Sequence, residues 1–275
     1  MCDYSQKKEA LLSRIRTYAA QDVIVAFSGG VDSSLLLKLC CEAARETKSQ
    51  VYGMTVQTRL HPAGEIKEAV GICKEVGARH KILVIDELKE AGIMNNPRER
   101  CYLCKKHLFK RMLAEAEKLG ITTILEGTNE DDLHVYRPGI RALRELKIIS
   151  PLAEAGMTKA EVRALAAEYG LSVSGKPSTP CLATRFPYGT ELTYEKLAQV
   201  EKGEAYLKGF GLHNVRLRVH DTIVRIEVDG EESLIVMENK KEITAYLKSL
   251  GYTYITLDLE GFRSGSMDVG IDVEE

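Results

Sequence analysis

Val23-Ile24-Val25-Ala26-Phe27-Ser28-Gly29-Gly30-Val31-Asp32-Ser33-Ser34-Leu35-Leu36-Leu37 decides the fold: five apolar residues run into a Ser-Gly-Gly turn, and an apolar helical run continues behind it to Leu39. The pattern reads as strand, tight loop and helix, which is half of a βαβ unit. Two adjacent glycines leave no side chain where backbone must approach a ligand, and they permit the positive φ values that aim successive N–H groups at one point. Such a point binds an anion. The hydroxyls of Ser28 and Ser33 add donors, and the helix starting near Asp32 adds the positive end of its dipole. Phosphate is the expected guest.

The loop lacks the lysine of G-x-x-x-x-G-K-[ST], the residue that reaches the β and γ phosphates in that motif. Cleavage at the γ phosphate is therefore not the expected chemistry. Ser28-Gly29-Gly30-Val31-Asp32-Ser33 instead resembles the pyrophosphate loop (PP-loop) of the N-type ATP pyrophosphatases. That resemblance implies ATP split between its α and β phosphates, an adenylated substrate, and a Mg²⁺ that Asp32 helps to hold. The other reading of these residues is a plain strand-to-helix turn with Asp32 only as a cap.

At 275 residues the chain is long enough for two modest domains or one large one. An apolar share of 44% with 28% charged residues describes a globular chain and excludes disorder. Net charge is −2, so no overall basic field exists to hold a nucleic acid backbone, and a tRNA partner is disfavoured. Residues 1–20 mix Lys7, Lys8, Glu9, Arg14 and Arg16 with apolar residues; they read as an amphipathic helix and not as a secretion signal. No apolar run approaches the ~20 residues that span a bilayer. A cytoplasmic location is expected, where the seven cysteines are reduced thiols, metal ligands or catalytic groups.

Beyond the phosphate loop, Val51–Gln57 reads as a second strand, Gly64–Val76 as an amphipathic helix, Lys81–Ile85 as a third strand and Ile121–Leu125 as a fourth. This alternation predicts a Rossmann-like α/β domain, a parallel sheet covered by helices, with ligands beyond the carboxyl ends of its strands. Gly127-Thr128-Asn129, at such an end, either lines a nucleotide pocket or forms a polar turn. Lys147–Ile149 is read as a last short strand. Thr158-Lys159-Ala160-Glu161 is a capping box that opens a helix to Tyr169, closed by Gly170. The Pro- and Gly-rich run Ser172–Gly189 is expected to lack regular structure and to divide an adenylating domain, 1–175, from a smaller α+β domain, 176–275. In the second domain a helix is expected over Leu192–Leu207, strands over Val215–Val219, Ile223–Val228 and Thr253–Leu257, and a helix over Lys241–Leu250. Glu232–Met237 is left unassigned.

Cys2, Cys40, Cys41 and Cys73 sit at the terminus or in helical patterns, where a thiol acts as a small hydrophobe. Cys101 and Cys104 differ. Asn95-Asn96-Pro97 breaks the chain ahead of them and a helical run follows, so both thiols lie near a helix N-terminus among Arg98, Arg100, Lys105 and Lys106, which favours thiolates. Inert thiols, redox chemistry, and metal or cluster binding all stay open for the pair. Cys181 sits on the Pro-framed loop with Arg185 four residues on, and a buried structural role is as open to it as a functional one. Arg216 and Arg218 project from one face of a strand; they suit a phosphate or carboxylates, or else form a solvated face.

With Ser28–Ser33, Arg100-Cys101-Tyr102-x-Cys104-Lys105, Gly127–Asp131 and Pro180-Cys181-Leu182-Ala183-Thr184-Arg185-Phe186-Pro187-Tyr188-Gly189 in view, the chain resembles the LarE family along nearly its whole length. Those enzymes are ATP-dependent sulfur transferases that make the nickel-pincer nucleotide cofactor of lactate racemase. The phosphate loop marks only the superfamily; Cys-Leu-Ala-Thr-Arg and the Arg-x-Arg strand mark the family. The resemblance implies that Ser28, Gly29, Gly30, Asp32, Ser33, Gly127, Thr128 and Asn129 bind ATP, and that Arg185, Arg216 and Arg218 grip a pyridinium biscarboxylic acid mononucleotide between the domains. It implies a divalent cation on Glu204 and Glu227, and a trimer-based, commonly hexameric, assembly. Sulfur would come from a 4Fe-4S cluster on Cys101, Cys104 and Cys181, or from Cys181 itself as a sacrificed donor. Competing readings are a tRNA thiouridine synthetase, an amidating PP-loop ligase and a nucleotide-binding module without catalysis.

Overall fold

The structure is a computed structural model that describes residues 3–62, 64–176, 180–263 and 265–267. Cys2 and residues 177–179 of the Pro-rich run lie outside the described residues. Contacts divide the chain into two compact units. One comprises 1–91 and 99–179; the other comprises 92–98 and 180–275.

The first unit runs α1 (Tyr4–Tyr18), β1 (Val23–Ala26), α2 (Val31–Thr47), β2 (Val51–Gln57), α3 (Glu65–Val76), β3 (Arg79–Val84), α4 (Glu87–Glu90), α5 (Arg100–Lys118), β4 (Thr123–Leu125), α6 (Gly139–Glu145), α7 (Pro151–Glu154) and α8 (Lys159–Glu168). Its sheet is parallel throughout, in the order β3-β2-β1-β4, with Val23 opposite both Val51 and Thr123. Strands covered on both faces are apolar at every position, which is why Val23-Ile24-Val25 shows no alternation. Val23 and Val25 pack with α1, α2 and α8, whereas Ile24 packs with Phe109 and Met112 of α5 and Leu143 of α6. Strand order reverses between β1 and β4. In an open parallel sheet that reversal leaves a crevice at the carboxyl ends of the two strands, where ligands bind.

Lys147–Ile149 is not a strand. Lys147 is left-handed at φ 55°, and Ile149 makes a single parallel bridge to Leu125. The predicted capping box is present: Thr158 accepts from the Glu161 N–H and Glu161 accepts from the Thr158 N–H. Cys40 and Cys73 are buried, and burial pushes Cys73 up to about 12 and Cys41 up to about 11, so both stay protonated as small packing groups.

The second unit runs α9 (Tyr194–Lys208), β5 (Arg216–His220), β6 (Ile223–Glu227), α10 (Ser233–Glu238), α11 (Lys240–Ser249) and β7 (Tyr254–Leu257). Strands β5 and β6 form an antiparallel hairpin, and β7 adds parallel to β6. Leu182–Arg185 forms a 3-10 turn within the run expected to be irregular, and the unassigned Glu232–Met237 falls mostly on α10. Buried Asn96 joins this unit by donating to the carbonyls of Phe186 and Pro187 at 3.2 and 2.7 Å.

Candidate functional site

Two loops meet at the strand-order reversal. In the first, Gly29 takes φ 73° and packs on Ala69 of α3, so the chain can turn back at once into α2. Ser33 Oγ accepts from the Ser28 N–H at 3.3 Å and lies 3.1 Å from Ser28 Oγ, while the Gly30 N–H donates to Ser28 Oγ at 3.3 Å. The loop is thereby held open around the α2 N-terminus, the arrangement that receives a phosphate. The second loop follows β4. A Cβ on Gly127 would stand 3.0 Å from Asp32 Cβ and 3.1 Å from the Ser33 nitrogen, so glycine is what allows this approach. Asn129 Nδ2 then donates to Asp32 Oδ1 at 3.3 Å. Asp32, Ser33, Gly127 and Asn129 are thus one cluster, and Thr128, buried beside it, bonds Glu126.

Two groups at this cluster, and a third beside Cys104, escaped the sequence reading. The Lys159 ammonium pairs with Asp32 Oδ2, and Lys176 reaches the Gly29 carbonyl at 3.4 Å and Glu68 at 2.5 Å. The available signal for Lys159 was its place at the first residue of a capped helix, where a cation meets the positive end of the dipole. Lys176 was hidden in a stretch read only as a chain breaker. The third is Glu87, only 2% exposed on α4, which accepts the Cys104 thiol proton at Oε1 while Oε2 has no partner among the described residues.

Cys101 and Cys104 stand one turn apart at the start of α5, Cys101 exposed and Cys104 half-buried. The expected cationic surround is only partly there. Arg100 approaches Cys101 Sγ at 3.9 Å, but Lys105 turns to Glu126 at 3.5 Å, Lys106 to Glu145 at 2.7 Å, and Cys104 faces a carboxylate. The Lys105–Glu126 pair ties the helix of the two thiols to the residue directly before Gly127.

In the second unit, Cys181 precedes the 3-10 turn, and Arg185 does not serve it as a free positive neighbour. Glu204 takes the guanidinium through both oxygens at 2.8 and 2.9 Å, and Nη1 donates to the Pro180 and Cys181 carbonyls. Arg216 and Arg218 are both buried, which rules out the solvated face. Arg218 pairs with Glu227 at 2.9 Å and donates to the Thr184 carbonyl; Arg225 and Ser266 also reach Glu227. Among the described residues Arg216 bonds only the Val215 carbonyl, at 2.7 Å, and lies over the Phe262 ring. Burial first, then Arg185 and Arg218, hold its pKa below the usual guanidinium value. With Arg225, which also pairs with Asp258 at 3.2 Å, the cluster sets four guanidiniums against three carboxylates, and its uncompensated charge suits an anion.

Glu204 and Glu227 are both taken up by guanidiniums, and no group of three or more His, Cys, Asp or Glu among the described residues is arranged to hold a metal ion. No helix among the described residues is long and apolar enough to cross a membrane.

A family model described as NAD synthase matches residues 4–112. The chain is 36% identical over 268 residues to the pyridinium-3,5-bisthiocarboxylic acid mononucleotide synthase of Lactiplantibacillus plantarum, covering 98% of this chain and 96% of the relative. It is 35% identical over 264 residues to an uncharacterized protein of Synechocystis sp., covering 94% and 97%. To the tRNA-specific 2-thiouridylase MnmA of Parasynechococcus marenigrum it is 29% identical over 212 residues, 64% of this chain and 52% of the relative.

Proposed function

We propose that this chain, which belongs to the LarE family of PP-loop ATP pyrophosphatases, is an ATP-dependent sulfur transferase that converts carboxylates of a pyridinium mononucleotide to thiocarboxylates. One observation carries the reading: the helix of Cys101 and Cys104 is tied through Lys105 to Glu126, and Gly127 and Asn129 just beyond it close on Asp32. That link between the helix of the two thiols and the loop beside Asp32 is what supports a shared site.

In this reading, residues 1–175 adenylate and 176–275 bind substrate and take part in transfer. Ser28, Gly29, Gly30, Ser33 and the α2 N-terminus hold the triphosphate, with Gly127, Thr128 and Asn129 on its other side. A substrate carboxylate oxygen attacks the α phosphorus and pyrophosphate leaves, so that AMP becomes the leaving group of an acyl adenylate. Asp32, partly exposed and bearing only oxygen donors, fits a Mg²⁺, which supplies charge neutralisation at the phosphates. Arg216, aided by Arg185 and Arg218, anchors the anionic end of the mononucleotide. Glu204 and Glu227 hold these arginines in place, and a divalent cation on them would have to displace the pairs.

A thiolate or sulfide must then attack the acyl carbon and expel AMP. Cys101 and Cys104, one turn apart, would hold two corners of a three-thiolate set that Cys181 would complete; a 4Fe-4S cluster bound there would present an added sulfide, brought by an external sulfide donor, as the nucleophile. The other route uses Cys181 alone. Its thiolate forms the thioester, and loss of its α proton then breaks the Cβ–S bond, releasing thiocarboxylate and leaving dehydroalanine.

The test is turnover of purified protein with ATP and pyridine-3,5-dicarboxylic acid mononucleotide. AMP, pyrophosphate and thiocarboxylate are expected together; an amide formed with ammonia in place of thiocarboxylate overturns the reading. Iron and sulfide after anaerobic purification, lost in Cys104→Ala, select the cluster, and dehydroalanine at Cys181 by mass spectrometry selects the sacrificial route. Light scattering checks the trimer-based assembly.

A further inference from the structure

Lys159 is placed against its own helix. As the first residue of α8 it puts an ammonium at the positive end of the dipole, where acidic residues are favoured. The carboxylate that normally compensates such a position, Glu161, is used up by the capping box and by Lys7 at 3.0 Å. The Lys159 backbone N–H is likewise satisfied, by Asp131 at 2.8 Å. What holds the ammonium is Asp32, 127 residues earlier in the chain, in the first turn of α2 where the phosphate loop ends. Asp32 Oδ1 accepts from Asn129, so Lys159 occupies the other oxygen, Oδ2. The two side chains are 33% and 20% exposed, so a ligand can reach the pair.

We propose that Lys159 is a positioning residue that keeps Asp32 for metal arriving with nucleotide. In the nucleotide-free chain its ammonium stands where a divalent cation would sit on Oδ2. A bare cation must drive Lys159 off with no anion to receive it, back towards the positive helix end. An incoming polyphosphate changes the balance: it offers Lys159 oxygens to bond, and a lysine on its flexible four-carbon stem can swing to them. Oδ2 is then released to the metal that the polyphosphate carries. Each positive group keeps an anionic partner before and after, and the metal enters with the nucleotide. This inference rests on the proposed ATP site.

The experiment titrates Mn²⁺, an oxygen-seeking stand-in for Mg²⁺, into the full chain without nucleotide, reading free Mn²⁺ by electron paramagnetic resonance. Lys159→Met and Lys159→Gln, with folding checked by circular dichroism, are expected to bind one Mn²⁺ about tenfold more tightly than wild type. Lys159→Arg, which keeps the charge, should match wild type, and Lys159→Met with Asp32→Asn should lose the gain. Adding α,β-methylene ATP should tighten Mn²⁺ binding by wild type. Unchanged Mn²⁺ affinity in both neutral variants overturns the handover. Calorimetry of wild type with Mg²⁺ and α,β-methylene ATP separates the two failures: absent nucleotide binding sinks the ATP site itself, whereas intact nucleotide binding with unchanged Mn²⁺ affinity sinks only the role of Lys159.

Discussion

Arg216 and Arg218 are equivalent in a strand pattern, yet burial gives them different work. Arg218 is matched by Glu227, and Arg216 has no carboxylate hydrogen bond among the described residues. Replacing an unpaired buried charge costs little or stabilises, so Arg216→Gln should leave unfolding within about 1 kcal/mol of wild type while raising KM for the mononucleotide at least about tenfold. Glu204→Gln is the opposite case. It strands Arg185, which is 1% exposed, and should cost about 3–5 kcal/mol in urea unfolding. A pH dependence belongs to this scale too. Burial holds the His80 imidazole, bonded to Thr55 at 2.8 Å, below its usual value. The unfolded chain then binds the proton more readily than the folded one. His80 therefore withholds nothing above about pH 6.5 and costs stability as pH falls below it. Urea midpoints at pH 7.5 and 5.5 should show the fall, and His80→Gln should reduce it without removing it, because burial shifts His220 in the same direction.

Among the elements, those with strong local signals were legible. The α8 capping box, the α3 terminus at Gly77 and the apolar run of β1 are each written in a few adjacent residues. Thr158→Ala should cost about 1 kcal/mol through loss of the cap, read as a lower melting temperature. Less legible were α10, a six-residue helix with Leu234 and Met237 exposed, and the Lys147–Ile149 stretch, where a left-handed lysine replaces the expected strand. Neither carries a periodicity that distinguishes it locally. Gly203 makes the same point within α9. Alanine normally favours a helix interior, but a Cβ there would stand 2.4 Å from Leu217 Cδ1 of β5. Gly203→Ala should therefore destabilise by about 1–3 kcal/mol through overpacking, a result that helix propensity alone would give the opposite sign.

Over the whole molecule, the nucleotide should leave a restricted footprint. A ligand at 100 times its Kd stabilises the state that binds it by about 2.7 kcal/mol, so Mg²⁺ with α,β-methylene ATP should slow amide hydrogen exchange at 28–34 and 127–132. The β7 strand, residues 254–257, should show no change. Protection centred on β7 instead would relocate the nucleotide.

By itself the sequence determined the α/β class, the phosphate loop and the identity of the thiols and arginines, because these depend on neighbouring residues: an apolar strand, two glycines, a Cys-x-x-Cys spacing. Only the tertiary structure decided that Gly127 and Asn129 close on Asp32, that Lys159 occupies its second oxygen, that Glu87 faces Cys104, and that of the three buried arginines in the second unit Arg216 has no carboxylate partner among the described residues. Those are contacts across separations from 17 to 127 residues. They depend on strand order and burial, which no local pattern encodes.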